Sequence, residues 1–379
     1  MKFVIAPDKF KGSLSAFEFC AAVEEGLRMV FKEATILKMP LADGGDGTMA
    51  VVQHYIKGEK VSVMVQDPLF RPIEASYLFS KETKIAYIEM AEASGLKLLK
   101  EGERNCMKTT SLGTGELIAD ALQNGAQEII LGIGGSATND GGMGMATALG
   151  FQFLDVNKAG LEPKGENLIH IKTIDASEVN PLLKNISVKV ACDVTNPLYG
   201  NNGAAYIYAA QKGASPHDIE RLDIGLKNYA KIVQNQFGID PQHIEGAGAA
   251  GGMGAGCISF LHAQLTSGID LIQELADFDT KIKGADWIIT GEGKLDDQTL
   301  SGKTISGVIK SSIAQNIPVA ALCGSLDISV ATQKEMGLTY AASIVKGVSN
   351  LEQAIQASYD NLVHAAYNFA SVLNFNHNP

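Results

Sequence analysis

Cysteine pairs, long apolar runs and clustered positive charge are all scarce in this chain. Its five cysteines, Cys20, Cys106, Cys192, Cys257 and Cys323, are scattered and never spaced as CxxC. That argues against a disulfide framework or a zinc site and for reduced, mostly buried thiols. No 18-residue apolar stretch is free enough of polar residues to span a membrane. The opening Met-Lys-Phe-Val-Ile-Ala-Pro-Asp-Lys holds too short an apolar segment for an export signal, so a cytoplasmic location is expected. With 31 Lys and Arg against 42 Asp and Glu, the formal net charge is -11. No broad attraction to nucleic acid or an anionic membrane follows from that balance, although local anion binding through amides, lysines or a divalent cation stays open. His54, His217, His243 and His262 show no metal-ligand spacing.

The familiar catalytic signatures are missing too. A GxxxxGK phosphate loop ending in Ser301-Gly302-Lys303-Thr304 would need glycine at position 297, where Asp297 stands. The dinucleotide pattern GxGxxG fails twice, at Gly132 to Ala137 and at Gly252 to Cys257, and no ribose-binding acid follows at the expected distance. Neither GxSxG, HExxH nor a paired HRD and DFG occurs.

What is present is a soluble α/β pattern, 46% hydrophobic and 19% charged, long enough at 379 residues for two domains. Residues 2–6 read as a buried strand. A helix follows from about Ser15, with Phe19, Val23, Leu27 and Val30 on its inner face, and Thr35 to Met39 make a second strand. Thr48 begins another helix. Alternating apolar residues at 61–65 and 73–79, then Ile85 to Met90, predict an antiparallel meander. Ser215-Pro216-His217-Asp218 reads as a capped helix start, continued inward by Leu222, Leu226, Tyr229 and Val233. Asn350 and Gln353 are placed to cap one long final helix with Leu351, Ile355, Tyr359 and Leu362 inside. Plain α/β order returns after about residue 260. The expected fold is therefore α/β, a Rossmann-like parallel-sheet domain (1–60 and 261–379) interrupted by a mixed α/β domain (61–260), with the amino-terminal loops and the Glu292 loop facing one interdomain cleft.

Glycine loops and acids gather at strand ends. Six glycines fall within Gly132–Gly144, among them Ser136, Thr138, Asn139 and Asp140, whose carboxylate could meet a metal or a polar substrate. Pro40 to Gly47 carries Asp43 and Asp46, Asp193 ends another strand, and Thr290-Gly291-Glu292-Gly293-Lys294 ends a third. The Gly246–Gly256 cluster suits either a phosphate cradle or close packing between domains. Phosphoryl transfer needs anion-binding donors, a cation and a carboxylate near the acceptor hydroxyl, and Lys9, Lys11, Arg71 and Lys303 are available counter-charges. A small-metabolite binding protein is the reading from a different class.

Seven stretches together resemble the bacterial glycerate kinase family called type 1. They are Ile5–Ala16, Pro40–Thr48, Gly132–Gly142, Asp193–Gly200, Gly246–Gly256, Thr290–Asp296 and Ser301-Gly302-Lys303, which span nearly the whole chain in family order. The resemblance implies two α/β domains around a cleft and phosphorylation of D-glycerate by ATP with Mg2+, at the 2-hydroxyl in preference to the 3-hydroxyl. A related small hydroxy acid is the alternative substrate. On this reading Asp193, Lys9 and Asp46 are catalytic. Asp8, Lys11, Asp43, Arg71, Ser136, Thr138, Asn139 and Asn196 bind substrate. Gly134, Gly135, Gly252, Gly254, Gly291, Glu292, Gly293 and Lys303 bind nucleotide, and Asp43, Asp46 and Glu292 are the metal ligands. A homo-oligomer is compatible with the sequence.

Overall fold

The computed structural model describes residues 1–44, 47–296 and 303–375, with the Lys303 side chain outside that description. The chain divides into two compact units, Met1–Tyr55 with Ser267–Pro379, and Ile56–Thr266.

The first unit is built on five parallel strands. Phe3, Val4 and Ile5 are fully buried, as expected of a strand covered on both faces. The Lys2–Ile5 strand pairs with Thr35–Lys38 on one side and Trp287–Thr290 on the other, and Val319–Cys323 and Tyr340–Ser343 complete the sheet. The chain thus leaves Lys2–Ile5 in one direction and resumes on its opposite flank. The strand order reverses between Lys2–Ile5 and Trp287–Thr290. In open parallel sheets such a reversal, at the carboxyl ends of the strands, is where ligands bind. Helix Ala16–Arg28 starts at a Ser15–Glu18 capping box and buries Phe19, Val23 and Leu27. It lies close against helix Ser358–Phe375, since a Cβ added at Gly26 would fall 2.3 Å from the Val363 carbonyl oxygen.

The second unit holds a six-stranded mixed sheet. Glu59–Gln66, Pro72–Phe79 and Ile85–Glu89 form the expected antiparallel meander, and Glu128–Gly132, Ser187–Ala191 and Gln264–Thr266 extend it in parallel. Helix Pro216–Phe237 carries the expected Ser215–Asp218 capping box and buries Leu222, Leu226, Tyr229 and Val233. Phe151, Phe153 and Phe237 surround Phe260 with ring centroids 4.7–5.8 Å away.

One helix expectation needs correction. Asn350 and Gln353 do form a capping box, but for a short helix, Leu351–Gln356, and a separate helix begins at Ser358. The Ser358 hydroxyl donates to the Ile355 carbonyl at 2.7 Å and accepts from the Ser13 hydroxyl at 2.6 Å. The bond to Ile355 is local and competes with helix continuation, whereas Ser13 is distant in sequence. Leu351, expected inside, is 76% exposed.

Candidate functional site

The first group of site residues sits at the carboxyl ends of the parallel strands in the first unit. Past Ile5 the chain stays tied to its neighbour, with Ala6 N donating to Ile289 O at 2.8 Å and Asp8 N to Gly291 O at 3.0 Å. These bonds put Asp8 at the strand-order reversal. Asp8 is buried; its carboxylate accepts from the Thr304 hydroxyl at 2.8 Å and from Lys9 N at 2.7 Å. Burial raises its pKa above the usual carboxylate value and nearby Asp43 adds to this, while the Thr304 bond opposes it. Lys9 Nζ approaches Asp43 Oδ1 at 3.6 Å. Asp8, Lys9, Phe10, Leu41, Ala42 and Gly47 are among the residues lining a cavity of about 250 Å³. Lys11 and Gly293 line another, of about 350 Å³, with Phe10, Gly324, Ile344 and Ile355.

Gly291 is held in place by packing, since an added Cβ would lie 2.0 Å from Leu322 O. Gly293 is open by comparison, with nothing nearer than 3.5 Å, and its carbonyl accepts from Ser325 N. The Glu292 carbonyl accepts from Gly324 N. Asp46, expected to be catalytic and a metal ligand, lies outside the described residues, as does the Lys303 side chain. Among the described residues, no group of three or more His, Cys, Asp or Glu side chains is arranged for a metal. Magnesium in a kinase is commonly held by one or two carboxylates, with substrate phosphates and water supplying the rest. The Asp43 carboxylate, 42% exposed, fits that limited demand.

The second group lies on the Gly132–Gly142 loop of the other unit, directly after the Glu128–Gly132 strand. Gly134 and Gly135 form an exposed turn, with Gly135 at φ +69°. Behind the turn, Ser136, Thr138, Asn139 and Asp140 are buried. Asp140, read from the sequence as a ligand for metal or polar substrate, is engaged within the loop's own surroundings. It accepts from Ser111 N and Ser111 Oγ, both at 2.8 Å, and from the amides of Gly142 and Gly144, both at 3.2 Å. Burial raises its pKa; those four donors oppose the rise. The Thr138 hydroxyl and the Asn139 side-chain amide are buried without a partner among the described residues, an arrangement native proteins rarely leave unexplained.

The glycine cluster near 250 packs onto this same loop. A Cβ at Gly251 would sit 2.1 Å from Thr138 O, one at Gly252 3.0 Å from Gly141 Cα, and one at Gly254 2.3 Å from Gly246 O. Gly141 N donates to Gly251 O at 3.0 Å. Gly252 and Gly254 are closely packed, and it is packing inside a single unit. Asn196 is likewise engaged at both ends of its amide, donating to Asn202 O at 2.9 Å and accepting from Tyr208 OH at 2.6 Å. Asp193 is half-buried in the loop after Ser187–Ala191. Arg71 lies elsewhere in this unit's meander, bonded to Asp67 at 2.6 Å and Glu103 at 2.8 Å, so two carboxylates already balance its charge.

One residue was not anticipated from the sequence. Lys212 is 3% exposed, and its ammonium donates to Ser136 Oγ at 2.8 Å and Thr138 O at 2.7 Å. Desolvation lowers its pKa to about 8, although Cys106 and Asp140 pull in the opposite direction. The signal in the sequence is slight: one lysine in the small-residue run Ala209-Ala210-Gln211-Lys212-Gly213.

Buried carboxylate, lysines and glycine-rich turns at the carboxyl ends of parallel strands mark an α/β enzyme that handles small anionic substrates. Residues 3–374 match the glycerate kinase family. The chain is 44% identical to a glycerate kinase of Halalkalibacterium halodurans and 42% identical to the glycerate 2-kinase of Escherichia coli, in each case covering 98% of both chains. A crystal structure assigned to glycerate kinase 2 of Salmonella typhimurium superimposes with a TM-score of 0.90 at 41% identity, covering 100% of both chains. The chain belongs to the glycerate kinase family and is a phosphotransferase of that family. No helix among the described residues is long and apolar enough to cross a membrane.

Proposed function

We propose that the protein phosphorylates D-glycerate at its 2-hydroxyl, using ATP with Mg2+. The observation that carries this reading is similarity to the Escherichia coli glycerate 2-kinase along 98% of both chains. The strand-end chemistry supports it. Asp193 takes the proton of the 2-hydroxyl as that oxygen bonds to the γ-phosphorus of ATP. The bond from that phosphorus to the β,γ-bridging oxygen breaks, and ADP departs with the electron pair. Lys9 and Lys11 offset charge on the carboxylate or the transferred phosphoryl group, and Asp8 fixes the loop that carries both lysines. Asp43, with Asp46 and Glu292, would hold magnesium, which when bound neutralises phosphate charge. Gly134, Gly135 and Ser136 bind an anionic group of a substrate.

The test is turnover of D-glycerate with magnesium and ATP, with carbon-resolved NMR of the product. The expected product is 2-phosphoglycerate. Clean 3-phosphoglycerate would keep the kinase and reject the regiochemistry, and faster turnover of tartronate, lactate or glucarate would move the substrate to a related hydroxy acid. Phosphorylation of none of these would reject the functional reading. An Asp193→Asn variant is expected to keep its far-UV circular dichroism and lose turnover; near-normal turnover would remove Asp193 from the role of base.

A further inference from the structure

Lys212 and Ser136 form an arrangement that the reaction described so far does not use. The Ser136 side chain has one hydrogen bond among the described residues, accepted from Lys212 Nζ at 2.8 Å. A hydroxyl has one proton to donate and two lone pairs. With an ammonium proton on one lone pair, the hydroxyl proton must point away from the lysine. Ser136 is 7% exposed and follows directly on the exposed Gly134–Gly135 turn. Behind it, Lys212 makes no ion pair within 4.0 Å among the described residues, and its second bond, to Thr138 O at 2.7 Å, fixes its position. Burying a lysine without an ion-pair partner is unfavourable, and sites that do so are commonly functional.

We propose that Lys212 is a positioning residue which, by donating to Ser136 Oγ, turns the Ser136 hydroxyl into a fixed, polarised donor aimed at a substrate oxyanion on the Gly134–Ser136 turn. The buried cation strengthens that donor and adds attraction for the anion without touching it. The oxyanion is either a phosphate of the nucleotide or the carboxylate of the acceptor; the chemistry is shared. The inference rests on the proposal above that this turn binds an anionic group of a substrate. The ionisable groups facing Lys212 are the Cys106 thiol and the Asp140 carboxylate.

The experiment compares Lys212→Met, Ser136→Ala, Ser136→Thr and the Lys212→Met/Ser136→Ala double variant as full-length proteins. Loss of a hydrogen bond to a charged group corresponds to roughly 10- to 100-fold in kcat/KM. Lys212→Met and Ser136→Ala are each expected to lose that much with far-UV circular dichroism retained. The double variant should be no worse than the poorer single variant, and Ser136→Thr, which keeps the hydroxyl, should recover most of the activity. A KM rise for ATP alone assigns the oxyanion to phosphate, and one for D-glycerate alone assigns it to carboxylate. The wild type should lose kcat/KM as pH rises through about 8, and Lys212→Met should lack that limb. Binding is followed without turnover through the thermal shift produced by inorganic phosphate or by D-glycerate. Shifts lost in both single variants would support the proposal even if the wild type turned over no substrate, a result that rejects the functional reading alone. Kinetics and shifts within twofold of wild type in Ser136→Ala, or independent, multiplying losses in the double variant, would overturn the proposal. Should Lys212→Met fail to fold, the Ser136 pair decides it.

Discussion

At the scale of single residues, Lys212 has a consequence for stability as well as for chemistry. Its folded-state pKa is depressed to about 8 from 10.5, chiefly by desolvation. Below pH 8 both folded and unfolded states hold the proton, and the full penalty for a buried charge is present. Between about 8 and 10.5 the folded state has released the proton that the unfolded state keeps, so stability rises with pH; above that it levels off. The gap corresponds to about 3 kcal/mol. Urea unfolding at several pH values should show wild type gaining on Lys212→Met by up to this amount across that window. A difference independent of pH would show that the lysine is not desolvated as described. Such a residue is hard to read from sequence because a lysine in a short polar-to-small stretch is ordinarily solvated. Only the fold brings residue 212 against the loop at 136–138. Asp140 is the converse case: its residue type suggested a ligand, and four donors from its own surroundings engage it instead. The strand-end positions of Asp8, Asp43 and Glu292 were legible, since strand ends follow from local apolar runs and glycine-rich turns.

Elements were legible where their signals are local. The Ser215 cap and the meander from Glu59 to Glu89 depend on neighbours a few residues away and appear as expected. The final helix did not: at its break the Ser358 hydroxyl bonds the Ile355 carbonyl and also Ser13, more than three hundred residues distant, a contact that no local pattern shows. The loop contact around Gly252 was ambiguous in the same way: composition gives glycine but not what the glycine touches. Gly252 has φ +87° with Gly141 Cα 3.0 Å from its would-be Cβ, whereas Gly238 has φ +72° and open space. An alanine at a left-handed position costs about 1–3 kcal/mol. Gly238→Ala should therefore lose about 1 kcal/mol and Gly252→Ala clearly more, measured by urea denaturation. Equal losses would mean the loop yields without resistance and that close packing is not the reason for glycine at 252.

At the scale of the whole molecule, each unit has its own hydrophobic core. One is drawn from residues between Val61 and Leu265. The other takes residues from two stretches of the chain, Phe3 to Ile36 and Trp287 to Leu373. Separate cores predict separate folding. A fragment spanning Ile56 to Thr266 should unfold cooperatively on its own, with a sharp calorimetric transition. A broad, non-cooperative trace would show that its core needs the rest of the chain. Residues 1–55 alone should remain unfolded, because they supply two strands of a five-stranded sheet.

The pairing of Phe3 with Trp287 also sets an order of events during synthesis. The partner emerges 284 residues later, by subtraction of those two positions. At about 5–20 residues per second, the first strand waits roughly 15 to 55 s for it. The intervening Ile56–Thr266 segment is complete some 20 residues before Trp287, by subtraction of those positions, and is expected to fold first. Through that interval Phe3, Val4 and Ile5, which end fully buried, lack their neighbour on the Trp287 side. They form an apolar strand with an open edge, the kind of segment that holding chaperones bind and that pairs wrongly with copies of itself. Slowing translation just before residue 287 should therefore lower the soluble yield, while a pause after residue 323, once the strand has neighbours on both sides, should have little effect.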